Sequence, residues 1–523
     1  MRCGDVHCQC EAHCKERDDV VLGILSTAIE VSHATIPLSG VKKSSNDPNK
    51  SCPVNQAIPG WKEIVAPVRK TAKFWHAVWI SSGKPNTGGL HTVMKWAKHK
   101  YHYAVRRAKR QTNSIRAREL QEAAERGDSA FMDELKKTLG KKKEQQEVPE
   151  SLEGEVTKEG ILKKFREMYK DLYNSASTKE EMVGVKSTMA GMIDASSNAE
   201  CEKITEEVVK RACSRMKHGK KDVTGSYSSD IFLHGPDSMF SMLAEVFQSY
   251  LVHGTVSKQI LMCAFLPLYK GGRKNPELFK SYRAIAGASQ LLKLFEYVIL
   301  EVWGPTMVAD SLQFGYREGM STTHCTWLVN EVTNHYIRQG GSICGALMDC
   351  SMAFDKCHFS KLFQKMLDKG VPALVVRALS YVYEEQTGCV RLAGEDSELF
   401  TLTNGTRQGS VLSPALWCIY LDGLLIELRN KKLGCYVAGL WMGACAYADD
   451  LLCLAPTRLV LQQMMDVCEN YGREHNLVFS TDPIPSKSKT KGIYFCGEKS
   501  KARGEWVAPG THHPPGWNHG AGC

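Results

Sequence analysis

The sequence predicts an α+β fold in which an antiparallel sheet is flanked by helices. Two apolar runs that each end at an aspartate indicate buried strands, Cys344–Met348 before Asp349 and Gly443–Ala448 before Asp449. The segment Ile204–Val208 carries a helix-start pattern, with a threonine in the capping position and acids in the first turn. Hydrophobic residues make up 43% of the chain and charged residues 24%, which excludes a disordered or fibrous protein.

Length and charge bound the class of protein further. A chain of 523 residues is long enough for roughly two to four domains. The formal net charge of +10 permits a nucleic-acid partner without requiring one, since many enzymes are modestly basic. No apolar run approaches the length of a membrane-spanning helix, and the first residues lack the apolar core of a signal peptide. We therefore expect an intracellular protein with no membrane partner.

Most of the 20 cysteines lie singly inside apolar segments, where a reduced cysteine behaves as a small hydrophobic residue. A disulfide framework is therefore not expected. A cluster near the N-terminus raises a zinc hypothesis, and its members are His7, Cys8, Cys10, His13 and Cys14. Their spacing is crowded for a structural zinc site and no second ligand pair follows at a normal interval, so the hypothesis stays open.

Composition divides the chain into five segments. Residues 1–60 are typical of a connector that contains one short apolar helix candidate, Val20–Ile29. Residues 61–150 are typical of a basic helical region followed by a charged linker. Residues 155–250 are expected to form a helical extension that precedes the main folded region, residues 251–497. The last segment, 498–523, is rich in Gly, Pro, His and Trp, and we expect it to be a disordered or aberrant tail.

The basic region interleaves aromatic and cationic side chains. The aromatic residues are Trp75, Trp79, Trp96, Tyr101 and Tyr103. The cationic residues are Lys95, Lys98, Lys100, Arg106, Arg107, Lys109, Arg110, Arg116 and Arg118. Basic groups attract phosphate and aromatic rings stack on bases, so the region is a candidate RNA-binding helix pair. An amphipathic helix pair whose aromatic residues pack inward explains the pattern equally well.

The adjacent carboxylates of Asp449 and Asp450 lie between two apolar runs, which predicts a buried hairpin with both acids at its tip. Neighbouring carboxylates repel each other, and a divalent cation such as Mg²⁺ relieves that repulsion. The alternative is a solvated Asp-Asp turn. If the strand that ends at Asp349 pairs beside this hairpin, Asp349 and Asp449 can hold two divalent ions about 4 Å apart for phosphoryl transfer.

Between these stretches lies Asn404–Leu416, a glycine-containing loop that runs into an apolar helix. Glycine lets a backbone approach a ligand closely, and Gln408 or Ser410 can place a hydrogen bond beside that ligand. By itself, the loop could precede any helix.

In order along the chain, these pieces resemble the conserved motifs of reverse transcriptases of non-LTR (LINE-type) retrotransposons. The central three motifs are Ala353-Phe354-Asp355 after Asp349, Arg407–Pro414, and Tyr447–Asp450. The upstream matches are Leu266–Lys270, Ser281–Ile285, Lys293–Glu296 and Gln313–Arg317. The downstream matches are Leu477–Ser480, Lys487–Lys491 and Ile493–Phe495. The sequences around the first two central motifs favour the LINE type over an intron-encoded maturase.

The resemblance implies a right-hand polymerase fold with palm and fingers, preceded by the helical basic N-terminal region. It also implies an RNA-directed DNA polymerase that adds dNTPs to a DNA primer 3'-hydroxyl with two Mg²⁺ ions during retrotransposition. The partners would be an RNA template and a DNA primer or target site, in the nucleus and cytoplasm. The alternative is a catalytically inactive, thumb-less remnant that only binds RNA.

The resemblance assigns the reacting centre to a few residues. Asp349 and Asp449 would be the metal-binding catalytic carboxylates, with the Cys350 carbonyl as a main-chain ligand. Asp450 would be the supporting acid. Phe354 falls where the family carries an aromatic residue that blocks a ribose 2'-hydroxyl.

The same resemblance assigns residues that handle the nucleotide. Arg283, helped by Lys270, would hold the incoming triphosphate. Gln408 and Gly409 would line the nucleotide and template side. Lys489 is expected to be a proton donor to pyrophosphate, with Lys487 as a close competitor.

Two parts of such polyproteins are not recognisable in this sequence. The region from Ile58 to Trp61 and the basic helices resemble the connector between an endonuclease and the polymerase, and no endonuclease motifs precede it. The resemblance implies a thumb after Phe495, whereas the sequence there is rich in glycine, proline and histidine. We therefore expect weak primer-template affinity and low processivity.

Overall fold

The structure is a computed structural model that describes residues 8, 10–35, 64–110, 148–176, 179–195, 203–271, 274–351, 354–479 and 490–496. The chain divides into two compact units, one of residues 39–147 and the other of residues 1–38 with 148–523. Helices and strands are numbered in chain order across both units.

The smaller unit contains helices α2, Ala66–Ser81, and α3, Gly89–Arg110. The indole nitrogen of Trp79 donates to the carbonyl of Pro85 at 2.9 Å, which ties the end of α2 to the connecting turn. The side chains of Trp96 and Tyr103 are 54% and 61% exposed, so the inward packing predicted as one alternative does not hold for them. Arg116 and Arg118 lie outside the described residues.

The larger unit begins with α1, Glu11–Thr35, a longer helix than the apolar run from Val20 to Ile29 indicated. Its other helices are α4 Lys158–Leu172, α5 Lys179–Ala195, α6 Glu206–Ser214, α7 Asp230–Leu233, α8 Asp237–His253, α9 Gln290–Trp303, α10 Thr322–Arg338, α11 Phe359–Asp368, α12 Ala373–Glu385, α13 Ser413–Asn430 and α14 Arg458–Glu474. The predicted cap is confirmed, since the Thr205 side chain accepts from the Val208 amide at 3.4 Å at the start of α6.

The strands of this unit are β1 Met262–Tyr269, β2 Tyr282–Ala288, β3 Ser342–Ser351, β4 Thr387–Leu392, β5 Glu395–Asp396, β6 Phe400–Thr401, β7 Tyr436–Val437, β8 Leu440–Trp441, β9 Ala444–Tyr447, β10 Asp450–Ala455, β11 Val478–Phe479 and β12 Lys491–Cys496. The first sheet has the order β2-β1-β4-β5, with β6 also on β4. In it β1 pairs antiparallel with β2 and parallel with β4.

Helix α4 covers the first sheet through a cluster of aromatic side chains. Phe165 packs edge-on against Tyr282 with ring centroids 5.1 Å apart, and the ring of Tyr173 lies 4.7 Å from that of Phe265. The four rings are buried, so α4 and the first sheet share one apolar core.

In the second sheet the named strands all pair antiparallel, and this sheet carries both aspartate-ended strands. Strand β3 pairs with β10 on one edge and with β11 and β12 on the other, while β9 pairs with β10. Helices α10 and α14 contact β3, and α13 contacts β9. The α+β prediction with an antiparallel sheet flanked by helices is confirmed.

The interior of the larger unit contains several of the cysteines that the sequence places in apolar segments. Cys263, Cys344, Cys418, Cys445 and Cys453 are all buried. Across the described part of the chain, no helix combines the length and the hydropathy that crossing a membrane requires.

Candidate active site

The two adjacent aspartates lie at a tight turn, as the apolar pattern predicts. Tyr447 of β9 pairs with Asp450 of β10, so Ala448 and Asp449 form the two-residue connection of the hairpin. Ala448 has a φ of +59°, in the left-handed region that residues with a Cβ rarely adopt. Asp449 is half-buried and Asp450 is exposed.

The register of the second sheet brings the third aspartate to the same place. Asp450 lies directly opposite Asp349 across the β3–β10 pair, and opposite residues of antiparallel strands share one face of a sheet. The Cys350 amide donates to the carbonyl of Asp449 at 3.3 Å. The structure therefore gathers Asp349, Cys350, Asp449 and Asp450 at one end of the sheet.

Two neighbouring side chains have pKa values that are raised by burial and by the aspartate carboxylates. Burial, together with the carboxylates of Asp449 and Asp349, raises the pKa of the Cys350 thiol to about 12. Burial and the Asp449 carboxylate also raise the pKa of the Tyr316 phenol above its ordinary value. Tyr316 therefore lies within electrostatic range of Asp449, a placement that the sequence reasoning missed.

Phe354 belongs to an aromatic group beside the turn. Its ring is half-buried and lies 6.0 Å from the Tyr316 ring in an edge-on contact and 5.6 Å from the Trp417 ring. The Thr406 amide donates to the Phe354 carbonyl at 2.6 Å, which attaches this segment to the loop before α13. The adjacent residues 352 and 353 lie outside the described part of the chain.

The loop that contains Gln408 and Gly409 lies against strand β2 of the first sheet. The Ala286 amide donates to the Gln408 carbonyl at 2.7 Å. Gly409 has a φ of +116°, and a Cβ at that position would lie 2.8 Å from the Ala286 carbonyl oxygen. Only glycine fits this close approach without rearrangement, so the loop and the first sheet are joined at this point.

The side chain of Gln408 connects the loop to a buried acid. Its amide nitrogen donates to both carboxylate oxygens of Asp355, at 3.3 and 3.2 Å, and the Tyr173 hydroxyl donates to the same carboxylate. Burial raises the pKa of Asp355 to about 6, against the opposing effects of Tyr173, the Lys270 charge and Gln408. No role for Asp355 is predicted from the sequence, although this residue lies in the motif Ala353-Phe354-Asp355.

The predicted triphosphate-binding cations lie on the first sheet. Arg283 is exposed on β2, opposite Leu268 of β1. Lys270 follows β1, is half-buried, and donates from Nζ to the Lys280 carbonyl at 2.6 Å. Both remain candidates for the role that the resemblance assigns them. Lys487 and Lys489 lie outside the described residues.

A buried ion pair attaches the loop to helix α9. Arg407 Nη2 donates to Glu296 of α9 at 2.8 Å, and the side chains of both residues are at most 2% exposed. The Ser410 hydroxyl and the Val411 amide donate to the same carboxylate, at 2.7 and 2.8 Å for their shortest contacts. The pair is not predicted from the sequence, although Glu296 and Arg407 lie in the motifs Lys293–Glu296 and Arg407–Pro414.

A glutamine and a tryptophan side chain contact the turn itself. Gln313 accepts from the Ala448 amide at 3.2 Å, and Trp417 donates to the Ala448 carbonyl at 2.9 Å. The signal that could have found them is their position in the motif Gln313–Arg317 and in the helix after Pro414.

The N-terminal zinc hypothesis gains no support from the described residues. Cys8 Sγ lies 3.3 Å from His13 Nδ1, and His7 is outside the described part. Among the described side chains, the group of at least three potential ligands within 4.8 Å of one another consists of His218, Asp230 and His234.

Comparisons with known proteins give consistent similarities. Residues 272–493 match the family described as reverse transcriptase (RNA-dependent DNA polymerase). Over 193 residues the chain is 28% identical to the retrovirus-related Pol polyprotein from type-2 retrotransposable element R2DM of Drosophila melanogaster, covering 37% of this chain and 18% of the relative. Over 257 residues it is 28% identical to the RNA-directed DNA polymerase from mobile element jockey of the same species, covering 46% of this chain and 27% of the relative.

A longer alignment extends the similarity beyond the matched domain. Over 289 residues the chain is 23% identical to the retrovirus-related Pol polyprotein from type-1 retrotransposable element R2 of Nasonia vitripennis, covering 54% of this chain. The alignment covers only 27% of that relative, so the chain spans about a quarter of its length.

Proposed function

Since this chain carries a reverse transcriptase domain similar to those of non-LTR retrotransposons, we propose that it is an RNA-directed DNA polymerase. The observation that carries the proposal is the register that sets Asp450 opposite Asp349, with Asp449 at the adjoining turn. The reaction joins the 3'-hydroxyl oxygen of a DNA primer to the α-phosphorus of a dNTP and releases pyrophosphate. The template would be RNA, in retrotransposition.

The donor set at this end of the sheet suits divalent magnesium. Carboxylate oxygens and main-chain carbonyls are the ligands that Mg²⁺ prefers, and Asp349, Asp449 and the Cys350 carbonyl would hold two such ions. When bound, the ions supply positive charge that activates the primer hydroxyl and neutralises the leaving pyrophosphate. Asp450, exposed beside them, would be the supporting acid.

The remaining residues would position the nucleotide. Arg283 and Lys270 would donate charge-assisted hydrogen bonds to the triphosphate. Phe354, held by its backbone to Thr406, would close the space that a ribose 2'-hydroxyl needs, which favours deoxynucleotides. Gln408 and Gly409 would line the nucleotide and template side. Lys489, or Lys487, would protonate the pyrophosphate.

We propose a role for each of the segments that composition defines. Residues 251–497 would form the fingers and palm, with 155–250 as their helical N-terminal extension. Residues 61–150 would bind RNA, and residues 1–60 would be a connector. The enzyme would act on template RNA and target DNA in the nucleus and cytoplasm.

The first prediction tests the proposed activity directly. Purified protein should extend a DNA primer annealed to an RNA template with dNTPs and Mg²⁺, and Asp449→Ala should abolish extension because a metal-binding carboxylate is removed. The measurement is primer extension resolved by length. The matched control is Asp466→Ala, which removes an exposed carboxylate on α14 and should leave extension unchanged.

Two outcomes would count against the proposal. Extension that is equal in the wild type and in Asp449→Ala would come from another enzyme or another site. Salt-dependent RNA binding without any extension would favour the remnant that only binds RNA.

A further inference from the structure

The segment Leu312–Gly315 lies along β9, the first strand of the β9–β10 hairpin that carries Asp449 and Asp450. Gln313 pairs in parallel with Ala446 of β9. The Phe314 amide donates to the Ala446 carbonyl at 2.8 Å, and the Ala446 amide donates to the Leu312 carbonyl at 2.9 Å. The segment therefore extends the second sheet beyond β9 and reaches the turn.

The side chain of Gln313 binds a single residue of that turn. It is fully buried, at 0% exposure. Its Oε1 accepts from the Ala448 amide at 3.2 Å and from the Gly315 amide at 2.9 Å, while its Nε2 donates to the Ala448 carbonyl at 3.4 Å. Glutamine supplies an acceptor and a donor on one planar group, so it can bind both ends of one residue.

Two further contacts hold the same residue. The Trp417 indole donates to the Ala448 carbonyl at 2.9 Å. A Cβ on Gly315 would lie 2.1 Å from the Ala448 nitrogen, so the segment approaches the turn as closely as only glycine permits. The amide and the carbonyl of Ala448 are thus both held by buried side chains.

The backbone conformation of Ala448 needs these hydrogen bonds. Ala448 has a φ of +59°, and an L-residue with a Cβ is strained there. Ala448 immediately precedes Asp449. The orientation of the peptide between the two residues therefore determines the direction in which the Asp449 side chain points. Strained backbone persists only when surrounding contacts over-determine it.

We propose that Gln313 is a positioning residue of the polymerase site, which holds Ala448 in the left-handed conformation and thereby fixes the Asp449 carboxylate relative to Asp349. This inference rests on the proposed function. Gln313 itself touches neither primer nor nucleotide and acts through the turn. Trp417 secures the same carbonyl from another segment of the chain.

The test replaces Gln313 without changing side-chain volume much. Gln313→Met keeps the length and removes both hydrogen bonds to Ala448, so Asp449 should be displaced or mobile. We expect kcat of primer extension to fall about tenfold to a hundredfold, as small misplacements of catalytic groups do, with little change in the KM for dNTP. The Mg²⁺ concentration at half-maximal rate should rise severalfold.

A matched control separates positioning from loss of stability. Gln386 is also fully buried, and its Nε2 donates to the Tyr383 carbonyl at 3.0 Å, in a part of the unit that the mechanism does not use. Gln386→Met removes that one hydrogen bond from the interior and should leave kcat and the Mg²⁺ dependence unchanged, whatever its effect on the melting temperature. If Gln313→Met does not fold, Trp417→Phe removes one hydrogen bond to Ala448 and should shift the same two quantities by less.

A measurement of metal binding tests the role of Gln313 without relying on catalytic turnover. Mn²⁺ binding, followed by calorimetry or electron paramagnetic resonance, should weaken severalfold in Gln313→Met and stay unchanged in Gln386→Met. Wild-type protein that does not extend primers would refute the proposed function. Equal Mn²⁺ affinity in Gln313→Met and the wild type, or an unchanged Mg²⁺ dependence, would refute the positioning role alone.

Discussion

At the scale of single residues, Asp355 combines burial with an ionisable carboxyl. The Tyr173 hydroxyl and the Gln408 amide donate to it, yet burial outweighs these contacts and raises its pKa to about 6. The folded protein therefore keeps a proton on Asp355 at pH values where the unfolded chain has released it. Proton binding by the folded state stabilises it, and this stabilisation disappears as pH rises from about 4 to about 6.

A prediction for the pH dependence of stability concerns this carboxyl. Between pH 5 and pH 7, the unfolding free energy of the wild type should fall by about 1 kcal/mol more than that of Asp355→Asn. Only the wild type carries the carboxyl that loses its proton over this range. Urea denaturation of both proteins at the two pH values measures the difference, and the comparison cancels groups that titrate in both. A gap between the two proteins that does not change with pH would show that Asp355 keeps an ordinary pKa.

At the scale of elements, the loop before α13 is held between α9 and β2. Glu296 of α9 accepts from Arg407, Ser410 and Val411, and the Gln408 carbonyl accepts from Ala286 of β2. The loop thus connects α9 with the first sheet. Its conformation depends on a buried charge pair, since breaking such a pair leaves an uncompensated charge in the interior.

Removing one member of that pair should be strongly destabilising. Glu296→Ala leaves the buried Arg407 guanidinium without its carboxylate and should lower the unfolding free energy by about 3–5 kcal/mol. Denaturant unfolding monitored by circular dichroism measures this decrease. The matched control is Glu469→Ala, which breaks an ion pair with Arg473 whose side chains are 65% and 71% exposed. That change should cost less than about 1 kcal/mol, as exposed pairs do.

The double variant sharpens the interpretation of Glu296→Ala. Glu296→Leu with Arg407→Met removes both charges and should be closer to the wild type than Glu296→Ala is. If the single variant costs no more than the exposed control, Arg407 is not held by Glu296 in solution.

At the scale of the whole molecule, positive charge is concentrated in the smaller compact unit. Residues 64–110 contain 11 Lys and Arg and no Asp or Glu, against a net charge of +10 for the entire chain. The remaining residues are therefore close to neutral. Lys100 Nζ lies 4.0 Å from the centre of the exposed Trp96 ring, so cations and aromatic surface occur together on α3. This arrangement supports the proposal that the region binds RNA.

The salt dependence of RNA binding tests that proposal. Arg106→Ala with Arg107→Ala should weaken binding of single-stranded RNA. The slope of log affinity against log salt should fall by about 0.7 for each phosphate that the variant no longer neutralises. Fluorescence anisotropy over a range of salt concentrations measures the slope. Lys431→Ala with Lys432→Ala, two exposed lysines of the larger unit, should leave the slope unchanged.

The sequence predicted those parts of the fold and the candidate site that depend on short stretches of chain. Apolar runs that end at Asp349 and Asp449 predicted strands and a hairpin, and Thr205 predicted a helix start, because strand burial and capping act between near neighbours. The apolar run predicts only Val20–Ile29 of helix α1, because the polar residues of this helix have partners far away in the chain. Arg17, for example, donates to the Thr255 carbonyl at 3.0 Å.

By itself, the sequence determined that three aspartates, a glycine-containing loop and two cations belong to one ordered set of motifs. Only the tertiary structure decided that Gln313 holds Ala448, that Asp355 is buried with a raised pKa, and that Glu296 anchors the loop. The physical reason is the same in each case. A hydrogen bond or a desolvated charge depends on which groups meet in space, and these partners are separated by 53 to 182 residues along the chain.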